Sequence, residues 1–175
     1  MAEAEVIRTP DQRLRVFVSS TIHELGPERQ AVRDAVTRLR LVPVLFEQSG
    51  ARPQPPRQVY RAYLAQSQVF VGIYWQEYGW IAPGEQVSGL EDEYLLAAGL
   101  PRLLYVKSPA PVREPRLAKM LDRIKEAADV SYQHFSTAAD LQRLVENDLA
   151  QLLSERFEMA QRLRSPRPWL LIARL

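Results

Sequence analysis

Two clusters of polar side chains in this sequence could do chemistry, and each follows a predicted buried strand. The first is Ser19–Thr21, directly after a short apolar run, and the second is Ser88–Glu93, at the predicted start of a later helix. Carboxyl ends of parallel strands and N-termini of helices present free backbone N–H groups, and open α/β sheets bind ligands at that edge. The two clusters therefore predict one shared cleft.

The first cluster offers three hydroxyl groups in a row, on Ser19, Ser20 and Thr21. Such a loop could hold a phosphate or a ribose through its N–H groups and hydroxyls. It lacks the glycines of a dinucleotide-binding fingerprint and the Gly-Lys-Ser/Thr of a P-loop. The alternative is a helix N-cap, but a cap needs only one such residue. Both interpretations stay open.

The second cluster offers a carboxylate, and its spacing has two interpretations. Ser88 followed three residues later by Glu91 is the spacing of a capping box, in which each side chain bonds the other's backbone N–H. Alternatively, Glu91 lies at the mouth of the cleft beside Ser88, where a carboxylate could bind ribose hydroxyls or stabilise an oxocarbenium ion. Glu93 lies about 200° further around the helix, so only one of the two glutamates can face a given cleft.

Three further side chains are candidates for ligand contact. Arg29, in the first predicted helix, could reach an anion, although such residues more often form ion pairs that stabilise the fold. Trp75 and Tyr78 follow the central predicted strand and could stack on a nucleobase. Aromatic residues in that position also commonly plug the top of the sheet.

These candidates are positioned by a regular alternation of apolar runs and helical periodicity. The predicted strands are Leu14–Val18, Val42–Phe46, Val69–Tyr74, Arg102–Val106 and Val130–Phe135, with helices between them and after the last. Such alternation requires crossover connections and therefore a parallel sheet. The sequence thus predicts a flavodoxin-like three-layer α/β sandwich with a mostly parallel sheet of about five strands. Pro43 predicts that the second strand lies at an edge.

Composition excludes several classes of function. The chain has 175 residues, no cysteine, two histidines and a formal net charge of +2. It is long enough for one domain with a core, whereas the charge is too small to argue for nucleic acid. The absence of cysteine excludes a disulfide framework and a thiolate nucleophile, and the low number of histidines disfavours a His-rich metal site. No apolar run approaches the roughly 20 residues of a membrane span. We therefore expect a cytoplasmic protein without membrane, nucleic-acid or metal binding.

The motifs together resemble one known family. The opening run Val16–Thr21, the later strand Val69–Ile73, Tyr78–Trp80 and the segment from Ser88 to Tyr94 are similar to the signature of the domain of unknown function 4062 family. The resemblance covers roughly residues 13 to 155. One departure is Glu77, where the family commonly has a basic residue, and this departure counts against phosphate binding nearby.

The resemblance implies a fold and a chemistry. The family is similar in fold to Toll/interleukin-receptor (TIR) domains and nucleoside deoxyribosyltransferases, in which a glutamate early in the helix after the central strand serves N-glycosidic chemistry. Spacing to Gly99 and Pro101 selects Glu91 as the corresponding carboxylate. On this hypothesis Ser19 and Ser20 hold phosphate or ribose, the aromatic loop flanks the base, and NAD is a candidate substrate rather than a bound cofactor.

The resemblance also implies a context. Such modules typically stand at the N-terminus of large proteins with signalling NTPase and repeat domains, and the relatives act when assembled. We therefore expect self-association, and a TIR-like domain over residues 1–160 with a linker and the start of a following region over 161–175. The alternatives are a non-catalytic interaction module and a nucleotide sensor without turnover.

Overall fold

A five-stranded parallel sheet forms the centre of the molecule. The computed structural model describes residues 9–48 and 50–164. The strand order is β2-β1-β3-β4-β5, and every neighbouring pair is parallel. The strands are β1 (Arg15–Ser19), β2 (Val42–Val44), β3 (Val69–Tyr74), β4 (Arg102–Lys107) and β5 (Tyr132–Phe135). The order reverses between β1 and β3, which opens a crevice at the carboxyl edge of these two strands.

Helices cover both faces of this sheet. They are α1 (Gly26–Arg38), α2 (Pro56–Ala65), α3 (Gly89–Leu96), α4 (Pro115–Ala127) and α5 (Ala138–Arg164). Apolar side chains of α1 and α5, such as Val36 and Leu149, share one buried cluster with alternate strand residues. Those of α2, α3 and α4, such as Leu64 and Met120, share the other. The predicted three-layer sandwich is confirmed.

The central strand shows why its sequence is apolar without interruption. All six residues of β3 are buried, because helices cover the strand on both sides. By contrast, β2 is an edge strand, as Pro43 predicts.

Element bounds differ from the predictions mainly at three ends. The second strand stops at Val44 and is followed by a short 3-10 turn, and the third helix stops at Leu96 before another such turn over Ala97–Gly99. The last helix continues to Arg164, past residue 160, where the predicted domain ends. Residues 165–175, the rest of the predicted linker and following region, lie outside the described residues. Among the helices of the described ranges, none combines the length and apolar character needed to cross a bilayer.

Candidate functional site

A cavity of about 690 Å³ opens at the carboxyl edge of the sheet, beside the reversal of strand order. This volume lies within the range of small-molecule sites. Its walls come from the loop after β1, the first turns of α1, α2 and α3, and the loop after β3. Residues of its lining include Ser20, Thr21, Ile22, His23, Arg29, Phe46, Arg57, Tyr60, Glu77, Trp80, Glu85, Leu90, Asp92 and Glu93. The predicted cleft therefore exists, and Ser20, Thr21 and Arg29 line it.

Glu93 is the carboxylate that the first cluster meets. Its side chain is half-buried in the second turn of α3, and its Oε2 accepts a hydrogen bond of 2.5 Å from Ser19 Oγ. Burial raises the pKa of Glu93 to about 7, against the opposing effects of the Ser19 hydrogen bond and the Arg29 charge. A carboxyl group with such a pKa exchanges its proton readily at neutral pH, as general acid–base chemistry requires.

Arg29 organises the loop after β1. Its guanidinium is buried, donates to Ser20 Oγ at 2.7 Å and to Glu47 Oε1 at 2.8 Å, and forms a second bond to the same carboxylate. Burial raises the pKa of Glu47, but the hydrogen bonds and charge of Arg29 outweigh it and hold that pKa below its usual value. The neighbouring Glu28 points elsewhere and pairs with Lys107. Arg29 therefore lies in the cavity wall and also forms a structural ion pair, which is the alternative interpretation of this residue.

Glu91 lies on the other side of α3, and the expectation that it shares the cleft with Ser19–Thr21 is wrong. Its carboxylate is buried, accepts a hydrogen bond from Tyr78 Oη and pairs with Arg123 of α4. It is outside the lining of the cavity. The physical reason is the helical rotation between Glu91 and Glu93, which turns one carboxylate toward the sheet edge and the other toward α4.

Four predicted ligand contacts lie outside the cavity lining: Ser19, Trp75, Tyr78 and Ser88. Ser19 is buried, and its hydroxyl donates to Glu93. Ser88 is buried and caps α3 by accepting from the Glu91 N–H, which confirms the capping interpretation for that residue. Trp75 donates to the Pro109 carbonyl at 2.8 Å, and Lys107 Nζ lies 4.0 Å from its ring centroid. Tyr78 is buried against Glu91. Trp75, Tyr78 and Ser88 therefore pack against the top of the sheet and do not contribute to the wall of this cavity.

Sequence reasoning missed the wall that α2 contributes. Arg57 and Tyr60 are one helical turn apart and both face the cavity, where Tyr60 Oη donates to Asp92 at 2.7 Å and Arg57 pairs with Glu85. Their three-residue spacing near a helix start was the available signal. Trp80, which is 73% exposed, completes the mouth. Within residues 9–48 and 50–164, no group of three or more His, Cys, Asp or Glu side chains is placed to hold a metal ion.

Fold and cavity together define a flavodoxin-like α/β domain with a ligand-sized site at the switch point of its sheet. Residues 15–150 match the family described as "Domain of unknown function (DUF4062)". That match spans most of the chain, so the protein belongs to this family, as its motifs predicted.

Two solved structures align with most of this chain at low sequence identity. The metal-soaked Flv1 flavodiiron core from Synechocystis sp. PCC6803 is 12% identical with a TM-score of 0.47, over 83% of this chain and 37% of that one. A diflavin flavoprotein A3 from Nostoc sp. is 13% identical with a TM-score of 0.38, over 79% and 96% of the two chains. The chain thus spans well under half of the flavodiiron core. Among curated proteins, none matches it.

Proposed function

We propose that this domain cleaves the N-glycosidic bond of a ribosyl compound, with NAD, a related nucleotide or a nucleoside as substrate and Glu93 as the catalytic carboxylate. The observation that carries the proposal is the half-buried Glu93 in the wall of the cavity, with Ser19 as its hydrogen-bond donor and a pKa raised by burial to about 7. The family resemblance supplies the reaction type, and the geometry replaces Glu91 by Glu93.

The chemistry follows from the charge of this carboxylate. Ionised Glu93 orients the ribose and stabilises the oxocarbenium-like transition state as the C1′–N bond breaks and its electron pair passes to the base nitrogen. Water adds to C1′, and Glu93 accepts the proton that the water loses and returns it to solvent. Trp80 and Tyr60 offer aromatic faces in the cavity wall that would flank the base.

The test is turnover by the full chain, both free and fused to an oligomerising scaffold, because the TIR-like relatives act when assembled. NAD and a panel of nucleosides are incubated with each form, and free base and ribosyl product are separated by chromatography. We expect release of free base by the clustered form. If neither form releases base from any of these compounds, the enzyme proposal fails and a binding or interaction role takes its place.

A second function, self-association, is favoured by the distal part of α5. The helix is core-packed at Leu149, but Phe157, Met159 and Leu163 are 66%, 55% and 84% exposed. Leu149, Met159 and Leu163 occupy positions of one heptad pattern. The stripe is interrupted by Arg156 and continues beyond the surface that the described residues cover.

We propose that a second copy of this chain covers this stripe with its own α5 in antiparallel orientation. Glu155 and Glu158 precede Arg162 along the exposed segment, so an antiparallel pair places acidic residues of one copy opposite basic residues of the other. Sedimentation analysis should show a concentration-dependent dimer that Leu163→Glu weakens. Gln161→Glu adds the same charge off the stripe and should leave the dimer intact. A monomer at all concentrations, or equal effects of both substitutions, would contradict the proposal.

The larger context that we propose, an N-terminal module beside NTPase or repeat domains, depends on the family resemblance alone.

A further inference from the structure

We infer that the cavity takes a nucleoside, with an uncharged or cationic base and no phosphate, in preference to a phosphorylated nucleotide. The inference rests on the proposed N-glycosidic chemistry and narrows its substrate class to nucleosides. It therefore places NAD, which carries a pyrophosphate, among the disfavoured substrates. It is carried by the charges of the cavity wall and by the way its helix N-termini are built.

The cationic side chains of the wall already have carboxylate partners. Arg29 is bonded to Glu47 through both its Nε and Nη2. Arg57 pairs with Glu85 and lies 3.5 Å from a carboxylate oxygen of Asp92. An Arg side chain whose N–H groups are already bonded to a carboxylate has fewer of them free for a bidentate bond to a phosphate. Of the described residues lining the cavity, Arg29 and Arg57 are the only Lys or Arg side chains.

Carboxylates outnumber these guanidinium groups in the lining, which contains Glu77, Glu85, Asp92 and Glu93. Burial raises the pKa of Asp92, but hydrogen bonds from Arg61 and Tyr60 outweigh it and hold that pKa below its usual value, so the carboxylate is ionised at neutral pH. A phosphate monoester carries about −1.5 to −2 charge at this pH. Glu85 and Asp92 are balanced by Arg57 and Arg61, so the excess negative charge of the wall comes from Glu77 and from the ionised fraction of Glu93. This excess repels a phosphate and attracts a cation.

Backbone donors do not compensate for this charge. Phosphates are commonly held by the free N–H groups of a helix N-terminus. At α2 the N-cap and the first helical residue are Pro55 and Pro56, and α1 has Pro27 in its first turn, so these positions carry no N–H. At α3 the Glu91 N–H is already bonded to Ser88 Oγ. The helix ends around the cavity are thus poor in free donors.

The same groups suit a ribose and a cationic base. Carboxylate oxygens accept hydrogen bonds from ribose hydroxyls, which is how acidic residues recognise ribose in nucleotide-binding folds. Glu77 and Asp92 are placed in the wall for that purpose. Trp80 and Tyr60 present aromatic faces that attract a cationic ring. When such a ring leaves, the C1′–N electron pair neutralises it, water supplies the new C1′–O bond, and one proton goes to solvent.

The test compares nicotinamide riboside with nicotinamide mononucleotide, which share the cationic base and the ribose and differ by the 5′-phosphate. Hydrolysis by the clustered full chain is measured as kcat/KM, and binding is measured by calorimetry on the Glu93→Gln variant. We expect a preference of about tenfold or more for the riboside at low salt, shrinking as salt screens the repulsion. Glu77→Lys, which brings a cation to the mouth, should narrow the preference, while Glu77→Gln should narrow it less.

The outcomes separate the two proposals. If the mononucleotide is bound and cleaved as well as the riboside, the substrate inference is overturned and the proposed glycosidic chemistry stands. A preference for the riboside that neither salt nor Glu77→Lys changes would overturn the electrostatic basis of the inference. If the clustered chain neither binds nor cleaves either compound, the substrate inference fails, and the glycosidic proposal fails with it only if NAD and the nucleoside panel also release no base. Melting temperatures of the Glu77 variants check that each is folded.

Discussion

Glu93 and Glu91 lie two residues apart on α3, yet their surroundings have opposite character. Glu91 is buried, and its two oxygens are taken by the Tyr78 hydroxyl and the Arg123 guanidinium. Glu93 opens onto the cavity, and its one hydrogen-bond donor is Ser19 Oγ. These two partners hold the Glu91 carboxylate in one position. A carboxylate with a hydroxyl partner and a raised pKa keeps a proton that it can give or take.

The direction in which the helix turns each side chain, and the partners it meets there, therefore decide which of the two acids is available for chemistry. The residue type is the same in both cases. Glu91 faces the α4 side, where Arg123 is within reach, whereas Glu93 faces the end of β1. A carboxylate that faces a cavity and has no cationic partner bonded to it is free to interact with a substrate. The predictions below test whether the two glutamates are as different in function as in environment.

The largest effect is expected on turnover. Glu93→Gln removes the negative charge that opposes the developing oxocarbenium ion, and loss of one such electrostatic contact costs on the order of 100-fold or more in rate. Glu91→Gln, the matched control on the same helix, should retain activity within a few-fold. Base release under saturating substrate measures both. Equal losses in the two variants, with both folded, would contradict the assignment to Glu93.

For the free energy of unfolding, the larger loss is expected at Glu91. Glu91→Gln weakens a hydrogen bond between a buried charged group and Tyr78, and we expect a loss of about 2 kcal/mol in the free energy of unfolding. Arg123→Ala should cost only a few tenths of a kcal/mol, since an exposed partner contributes little to an ion pair. Denaturant unfolding of the two variants and wild type checks this order. A larger loss in Arg123→Ala would show that the ion pair, rather than Tyr78, holds Glu91.

The alternation of elements explains why the fold and half of the site were predictable. Buried strands and amphipathic helices are local patterns, so the sequence specified β1, its hydroxyl loop and the place of Ser20, Thr21 and Arg29 at the sheet edge. The choice between Glu91 and Glu93 depends on which side of α3 meets α4, and that is a tertiary relation with no local signature. Spacing to Gly99 and Pro101 could not replace it.

The positions of Trp75 and Tyr78 outside the cavity have the same explanation. Trp75 and Tyr78 follow a buried strand, where an aromatic side chain fits both a ligand and the sheet itself. Their partners Lys107 and Glu91 are 32 and 13 residues away along the chain, so the outcome depended on long-range packing. Trp80, only two residues after Tyr78, is the aromatic residue of this loop that lines the cavity.

The raised pKa of Glu93 predicts a moderate effect on stability with a definite sign. The folded pKa of about 7 lies above the unfolded value of 4.5, so the folded state binds more protons between these values and stability falls as pH rises through them. Glu93→Gln removes this penalty. The variant should therefore exceed wild type at pH 8 by on the order of 1 kcal/mol, and the difference should shrink toward pH 5. Thermal or denaturant unfolding across that pH range measures it. A wild-type advantage at pH 8 would mean that Glu93 is stabilised as an anion.

The smallest predicted effect is a shift in the pH dependence of activity when Ser19, but not Ser20, is replaced. Ser19 Oγ donates to Glu93 and thereby favours the ionised carboxylate, which lowers its pKa against the effect of burial. Ser19→Ala removes that donor, so the pH at which activity reaches half of its maximum should move upward from about 7 by a fraction of a pKa unit to about one unit. Ser20→Ala is the matched control, because Ser20 Oγ bonds Arg29 and the Thr21 carbonyl rather than Glu93. The control should leave the midpoint of the pH–rate profile in place even if it lowers the rate. An unchanged or lower midpoint in Ser19→Ala, with the control also unchanged, would show that the titrating group of the reaction is not the carboxylate that Ser19 holds.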